Sequence, residues 1–100
     1  MRRGTTPTHT FTLPFDTSQV KCARVVYAQM NRVVLVKTGV DLTLEGNTIR
    51  LTLTQEESLR FNCSKPVEIQ VRVLTLAGEA LNSNIVKVPV QRCLESEVLV

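Results

Sequence analysis

The stretch Val67 to Val73 constrains this chain most: Val67, Ile69, Val71 and Val73 alternate with Glu68, Gln70 and Arg72. Successive side chains leave a strand on opposite sides, so this period of two predicts a strand with one buried face and one wet face. The same alternation returns in Phe11, Leu13 and Phe15, in Ala23, Val25 and Tyr27, in Val40, Leu42 and Leu44, in Ile49, Leu51 and Leu53, and in Val86, Val88 and Val90. Turn-forming residues punctuate these runs: Asn31-Arg32 is expected as a tight turn, Gly46-Asn47 as a hairpin and Ala77-Gly78-Glu79 as a reversal. About seven short strands with turns every ~8–12 residues predict an all-β, antiparallel two-sheet sandwich.

Pro14 and Pro89 cannot donate to a ladder, which places the first strand and the last, Ile85 to Gln91, at edges. Leu81 to Asn84 reads as an earlier, looser part of that last strand. The continuous apolar run Val33-Val34-Leu35-Val36 predicts a strand covered on both faces or near the centre of the sandwich. Asp16-Thr17-Ser18 supplies a cap for a short helical turn around Ser18 to Lys21. Thr54-Gln55-Glu56-Glu57 matches a capping box and predicts the one short helix, near residues 55–61, with Leu59 and Phe61 tucked onto the core. Residues 1–7 read as a flexible N-terminal arm, 8–93 as a single β-sandwich domain and 94–100 as a C-terminal tail, in which Val98-Leu99-Val100 is apolar enough to dock.

Composition bounds the function. A chain of 100 residues with 43% hydrophobic and 21% charged residues suffices for one core. The net charge of +3 suits solubility more than nucleic-acid binding. Its basic residues are scattered over several elements and are expected to face Glu and Asp. Exposed aromatic platforms for sugars or single strands are not predicted, since the three Phe occupy core positions and Trp is absent. Tyr27 is expected in the core with its hydroxyl at the rim. No run approaches the roughly 18 apolar residues of a membrane span. Met1-Arg2-Arg3 leads into Gly4, Thr5, Thr6 and Pro7 rather than an export signal, so the expected location is the cytoplasm.

Chemistry-bearing residues are few. Cys22, Cys63 and Cys93 lack metal-ligand spacing and read as buried or half-buried thiols of a reduced chain. A sandwich can bring Cys22 and Cys63 together, so one disulfide is the alternative. His9, the single histidine, reads as a surface residue between Thr8 and Thr10. Pairing it with a thiol would give a cysteine hydrolase, but nothing in the sequence builds the required cleft. Glu56-Glu57 is explained by helix capping, and the four isolated glycines form no phosphate loop. The expectation is therefore a non-enzymatic chain with no catalytic, cofactor or metal residues and no small-molecule substrate. Its contacts are expected to be with protein, at sheet edges and along the extended arm, with Arg2, Arg3, Thr8 and His9 as the candidate contact residues. The edges permit self-association, which their prolines oppose.

Two stretches carry a resemblance. Arg3-Gly4-Thr5-Thr6-Pro7-Thr8-His9-Thr10-Phe11, running into Leu13-Pro14-Phe15-Asp16, and Leu53 to Phe61 followed by Val67 to Val73, resemble small proteins encoded among the tail and baseplate genes of prophages in Gram-positive bacteria. The chain is also similar to the immunoglobulin-like N-terminal domain of phage baseplate proteins. The resemblance implies an immunoglobulin-like sandwich acting as a structural or adaptor module of a virion, near its tail or baseplate, with other phage structural proteins as partners. It would be made in the host cytoplasm and then enter the particle. The alternative is a prophage-encoded binding protein that regulates or inhibits a host protein.

Overall fold

A computed structural model describes residues 1–100. Eight strands form: β1 (Thr8–Thr12), β2 (Val20–Gln29), β3 (Arg32–Thr38), β4 (Thr43–Glu45), β5 (Thr48–Thr52), β6 (Val67–Thr75), β7 (Ala80–Asn82) and β8 (Val86–Val88). The one α-helix, α1 (Gln55–Leu59), joins β5 to β6. The strands make two antiparallel sheets, one of three strands in the order β1-β5-β4 and one of five in the order β3-β2-β6-β7, with β8 also on β6. The predicted all-β, sandwich-like architecture is what the chain adopts.

Period two does the sorting. Ala23, Val25 and Tyr27 of β2 and Val67, Ile69, Val71 and Val73 of β6 turn inward, as do Ile49 and Leu51 of β5, and they join Leu53 and Phe61 in one core. The molecule is a slab whose shortest dimension is 16 Å, so one face of every strand must meet water and only 19 residues are buried.

The capping box forms as the sequence requires: Thr54 Oγ1 accepts from the Glu57 amide, and Glu57 Oε1 accepts from the Thr54 amide. A 3-10 turn at Thr17–Gln19 is capped by the Asp16 carboxylate, which accepts from Ser18 N. The β2–β3 hairpin turns one residue earlier than expected, at Met30 and Asn31, both at positive φ (51° and 63°). Two left-handed residues match the right-handed twist of the flanking strands.

β7 and β8 are two halves of one edge strand. Between the pairs Arg72↔Asn82 and Ile69↔Val86, the outer strand runs one residue longer than β6. At this slip Ser83 Oγ accepts from Val71 N while Ser83 N donates to Val71 O, which keeps β6 satisfied. The looser segment before the last strand was legible, and Ser83 is the residue that makes it tolerable.

Several expectations fail, three of them at the run Val33–Val36, the N-terminal segment and the thiols. The run Val33–Val36 is not covered on both faces: β3 is the edge of its sheet, and Val33 and Val36 are 64% and 40% exposed. Val34 is an extra residue between the pairs Tyr27↔Leu35 and Ala28↔Val33, a bulge that breaks the alternation and disguises an edge strand as a buried one. Residues 1–7 are not a loose arm. Arg2 forms a parallel bridge with Gln91, Gly4 N donates to Ser58 Oγ, and Ser58 Oγ donates to Thr5 O. Gly4, at φ +79°, sits where a Cβ would lie 3.4 Å from Cys93 Sγ. The thiols are the third. All are free, and Cys22 and Cys63 are exposed rather than buried, with only Cys93 half-buried.

Candidate functional site

Two polar groupings stand out, one inside the slab and one on its outer face. The inner one is built on β2. Tyr27 is fully buried, its ring 5.6 Å from His9 and 5.8 Å from Phe61, and its hydroxyl lies 2.7 Å from His9 Nδ1. Burial and then the nearby Glu57 carboxylate raise the Tyr27 pKa above its ordinary value, so the phenol stays protonated. Beside it Lys37 Nζ donates to Glu57 Oε2 at 2.7 Å, with the two side chains only 11% and 14% exposed. Burial pushes Glu57 up, but the Lys37 hydrogen bond and charge and the Thr54 bonds outweigh it, leaving the pKa below its ordinary value. Glu57 thus does more than cap: it ties α1 to β3. The signal for Lys37 was its place two residues after inward Leu35.

His9 is half-buried against Tyr27 rather than a surface residue. Burial first, and the N-terminal charge second, lower its pKa. An NMR titration of the His9 ring should therefore give a midpoint below 6.5; one at or above that value would contradict this packing. The other expected contact residues are also engaged within the chain. Arg2 Nη1 donates to Arg92 O, Arg3 Nη2 donates to Leu59 O, and Thr8 Oγ1 lies 2.8 Å from Thr52 Oγ1. Arg2 and Thr8 stay exposed, whereas Arg3 and His9 are half-buried. The four do not gather into one site.

One buried amide was invisible to sequence reasoning. Gln29, 3% exposed, donates through Nε2 to Asn62 O and Lys65 O and accepts from Asn62 N through Oε1. It pins the loop after α1 to the end of β2.

The outer grouping covers the wet face of the five-stranded sheet. Register sets its rows. Thr38, Arg24, Arg72 and Asn82 stand side by side across β3, β2, β6 and β7. On one side lies the row Val36, Val26, Gln70, and beyond it Val33, Ala28, Glu68, Lys87. On the other side lie Cys22, Leu74 and Ala80. Two arginines therefore sit directly opposite one another on adjacent strands. Neither has a carboxylate within ion-pair distance, since Lys37–Glu57 is the single salt bridge of the molecule. Arg72 Nε donates to Asn82 Oδ1 at 3.2 Å and has no other partner. The expectation that outward basic residues pair with Glu and Asp fails here, because alternation says which residues share a face but not which strands meet.

Cys22, Arg24, Arg72, Leu74, Ala80 and Asn82 line a shallow depression of about 240 Å³. A larger cleft, about 370 Å³, opens where the sheets part, between residues 12–15 and 81–84. None of its lining residues titrates. No group of three His, Cys, Asp or Glu is placed to hold a metal ion.

Like charges directly opposite on neighbouring strands destabilise a sheet. Arg24→Thr should therefore raise stability by about 0.2–1 kcal/mol. Urea unfolding measures it, and a clear loss would show that the arginine pair serves the fold.

Comparisons with protein-family models, with curated proteins and with solved structures found no match. No helix is long and apolar enough to cross a membrane.

Proposed function

We propose that this chain is a non-enzymatic protein-contact module working through the outer face of its five-stranded sheet. One observation carries the reading: Arg24 and Arg72 are held opposite each other without an acid, between rows that include half-buried Val26 and Leu74 and exposed Val36. A guanidinium pair of this kind is an unfavourable arrangement for an isolated sheet and a favourable one beneath a partner's carboxylates, which it can meet with bidentate bonds. Val36 at 40%, Val33 at 64% and Ile85 at 54% exposure add the apolar area that a contact needs around its charges.

The resemblance of residues 3–16, 53–61 and 67–73 to phage tail and baseplate proteins supports a virion as the setting and a structural or adaptor role. Mass spectrometry of purified particles should find the chain in fixed stoichiometry, and Arg24→Ala/Arg72→Ala should deplete it while it remains folded. Consistent absence from particles would overturn the virion setting. Normal incorporation of the folded double variant would overturn the role of this face.

A further inference from the structure

The partner that fits this face is present in the chain itself. Residues 94–100 read Leu-Glu-Ser-Glu-Val-Leu-Val, two acids among four apolar side chains. Of the nine acidic residues, only Glu56–Glu57 and Glu95–Glu97 fall within two positions of another, and the first pair belongs to α1. Glu95 and Glu97 form no ion pair. Leu94, Leu99 and Val100 are 92%, 77% and 121% exposed, so nothing in the same copy covers them.

We propose that residues 94–100 of one copy lie on the Arg24–Arg72 face of a second copy, joining copies head to tail. The inference rests on the contact reading above and names its occupant. The segment bends at Leu94 and Glu97 in the single chain; drawn out straight against a partner's sheet, it would put Glu95 and Glu97 on the same side about 7 Å from each other. Arg24 and Arg72 start about 5 Å apart on neighbouring strands, and their long side chains span the difference. Leu99, two positions beyond Glu97 and 77% exposed, leaves on that same side and meets the apolar row beside the arginines, while Leu94, Ser96 and Val98 face away from it.

The geometry opposes docking within one copy. Leu99 is tied to α1 by two hydrogen bonds, from Leu99 N to Gln55 Oε1 and from Gln55 Nε2 to Leu99 O. The same helix reaches, through Glu57, the inward-facing Lys37 of β3. The segment is thus anchored on the inner side of the sheet whose outer side carries Arg24 and Arg72. A contact between two different surfaces is heterologous, so repeating it gives rings or filaments rather than a closed symmetric dimer.

Sedimentation velocity on the full chain from micromolar to millimolar concentration tests this. The wild type should self-associate, and added salt should weaken the association by screening its charges. Arg24→Ala/Arg72→Ala and Glu95→Lys/Glu97→Lys should each weaken it about tenfold or more, with circular dichroism confirming that both variants fold. Mixed together, the two variants should form 1:1 dimers that grow no further, because one retains a working segment and the other a working face. A monomeric wild type, undiminished association of either folded variant, or a mixture that stays monomeric overturns the proposal. If the wild type is monomeric yet the arginine variant is lost from particles, the second copy is excluded as occupant while the contact face stands.

Discussion

Phe61→Ala should destabilise this protein by about 3–5 kcal/mol, the range for emptying a buried aromatic site. In a domain of this size each kcal/mol lowers the melting temperature by about 4–8 °C, so the midpoint should fall by roughly 12 °C or more. The reason is position. Phe61 follows the C-cap of α1, is 1% exposed and packs its ring 5.8 Å from fully buried Tyr27. It fastens the only α-helix, and with it the Ser58 clamp on residues 4 and 5, onto the central strand β2. A slab 16 Å thick has no second layer of core to collapse into the vacated space. Phe11, half-buried at 6.5 Å from His9, should cost less when truncated. Thermal unfolding followed by circular dichroism decides the matter: a Phe61→Ala loss below about 1 kcal/mol would mean that α1 is not fixed as described.

The second large effect lies in Lys37–Glu57. Lys37→Met leaves a mostly buried carboxylate, and Glu57→Gln leaves a mostly buried ammonium while retaining a residue that can complete the capping box. Each should cost about 2–3 kcal/mol, below the full penalty for a wholly buried pair because both side chains keep some contact with water. The double variant Lys37→Met/Glu57→Gln should recover most of this loss, since no charge is then left unpaired. A double-mutant cycle by urea unfolding measures the coupling, and additive losses would show that the two side chains act independently.

The same pair sets the acid response. The Glu57 pKa is lower in the folded than in the unfolded chain, so its stabilisation is fully present above about pH 4.5 and is lost as pH falls through the folded value. His9, also lowered, favours the folded state in its neutral form; that contribution is present above pH 6.5 and declines as pH falls below it. Stability should thus fall in two steps on acidification, and Lys37→Met/Glu57→Gln should shrink the lower one, leaving the part due to Asp16, whose carboxylate the Ser18 hydrogen bonds also hold below its ordinary value. An unchanged fall below pH 4.5 in the double variant would assign that step to other carboxylates.

Much of the fold is local and therefore legible. The alternation of Val67 to Val73 specifies a one-faced strand, Thr54 and Glu57 specify a helix start, and Asp16 specifies a short turn, because each involves groups no more than a few residues apart. Even the irregular end of the last strand shows in the sequence as a weak pattern around Leu81 to Asn84. The inward row of β6, β2 and β5 follows from the same period.

What the tertiary structure decided involves partners far apart in the chain. Period two says that Arg24 and Arg72 each face away from their apolar neighbours; only the pairing of β2 with β6 sets them against one another. Lys37 meets Glu57, Gln29 meets Asn62, and Gly4 meets Ser58, across separations of 20, 33 and 54 residues. The bulge at Val34 and the edge position of β3 likewise depend on which strand lies alongside and which does not. Local alternation dictates which side chains share a face. Which face meets water, and what stands beside it, was decided by long-range pairing, because a strand's hydrogen bonds and half its contacts come from segments its own residues do not encode.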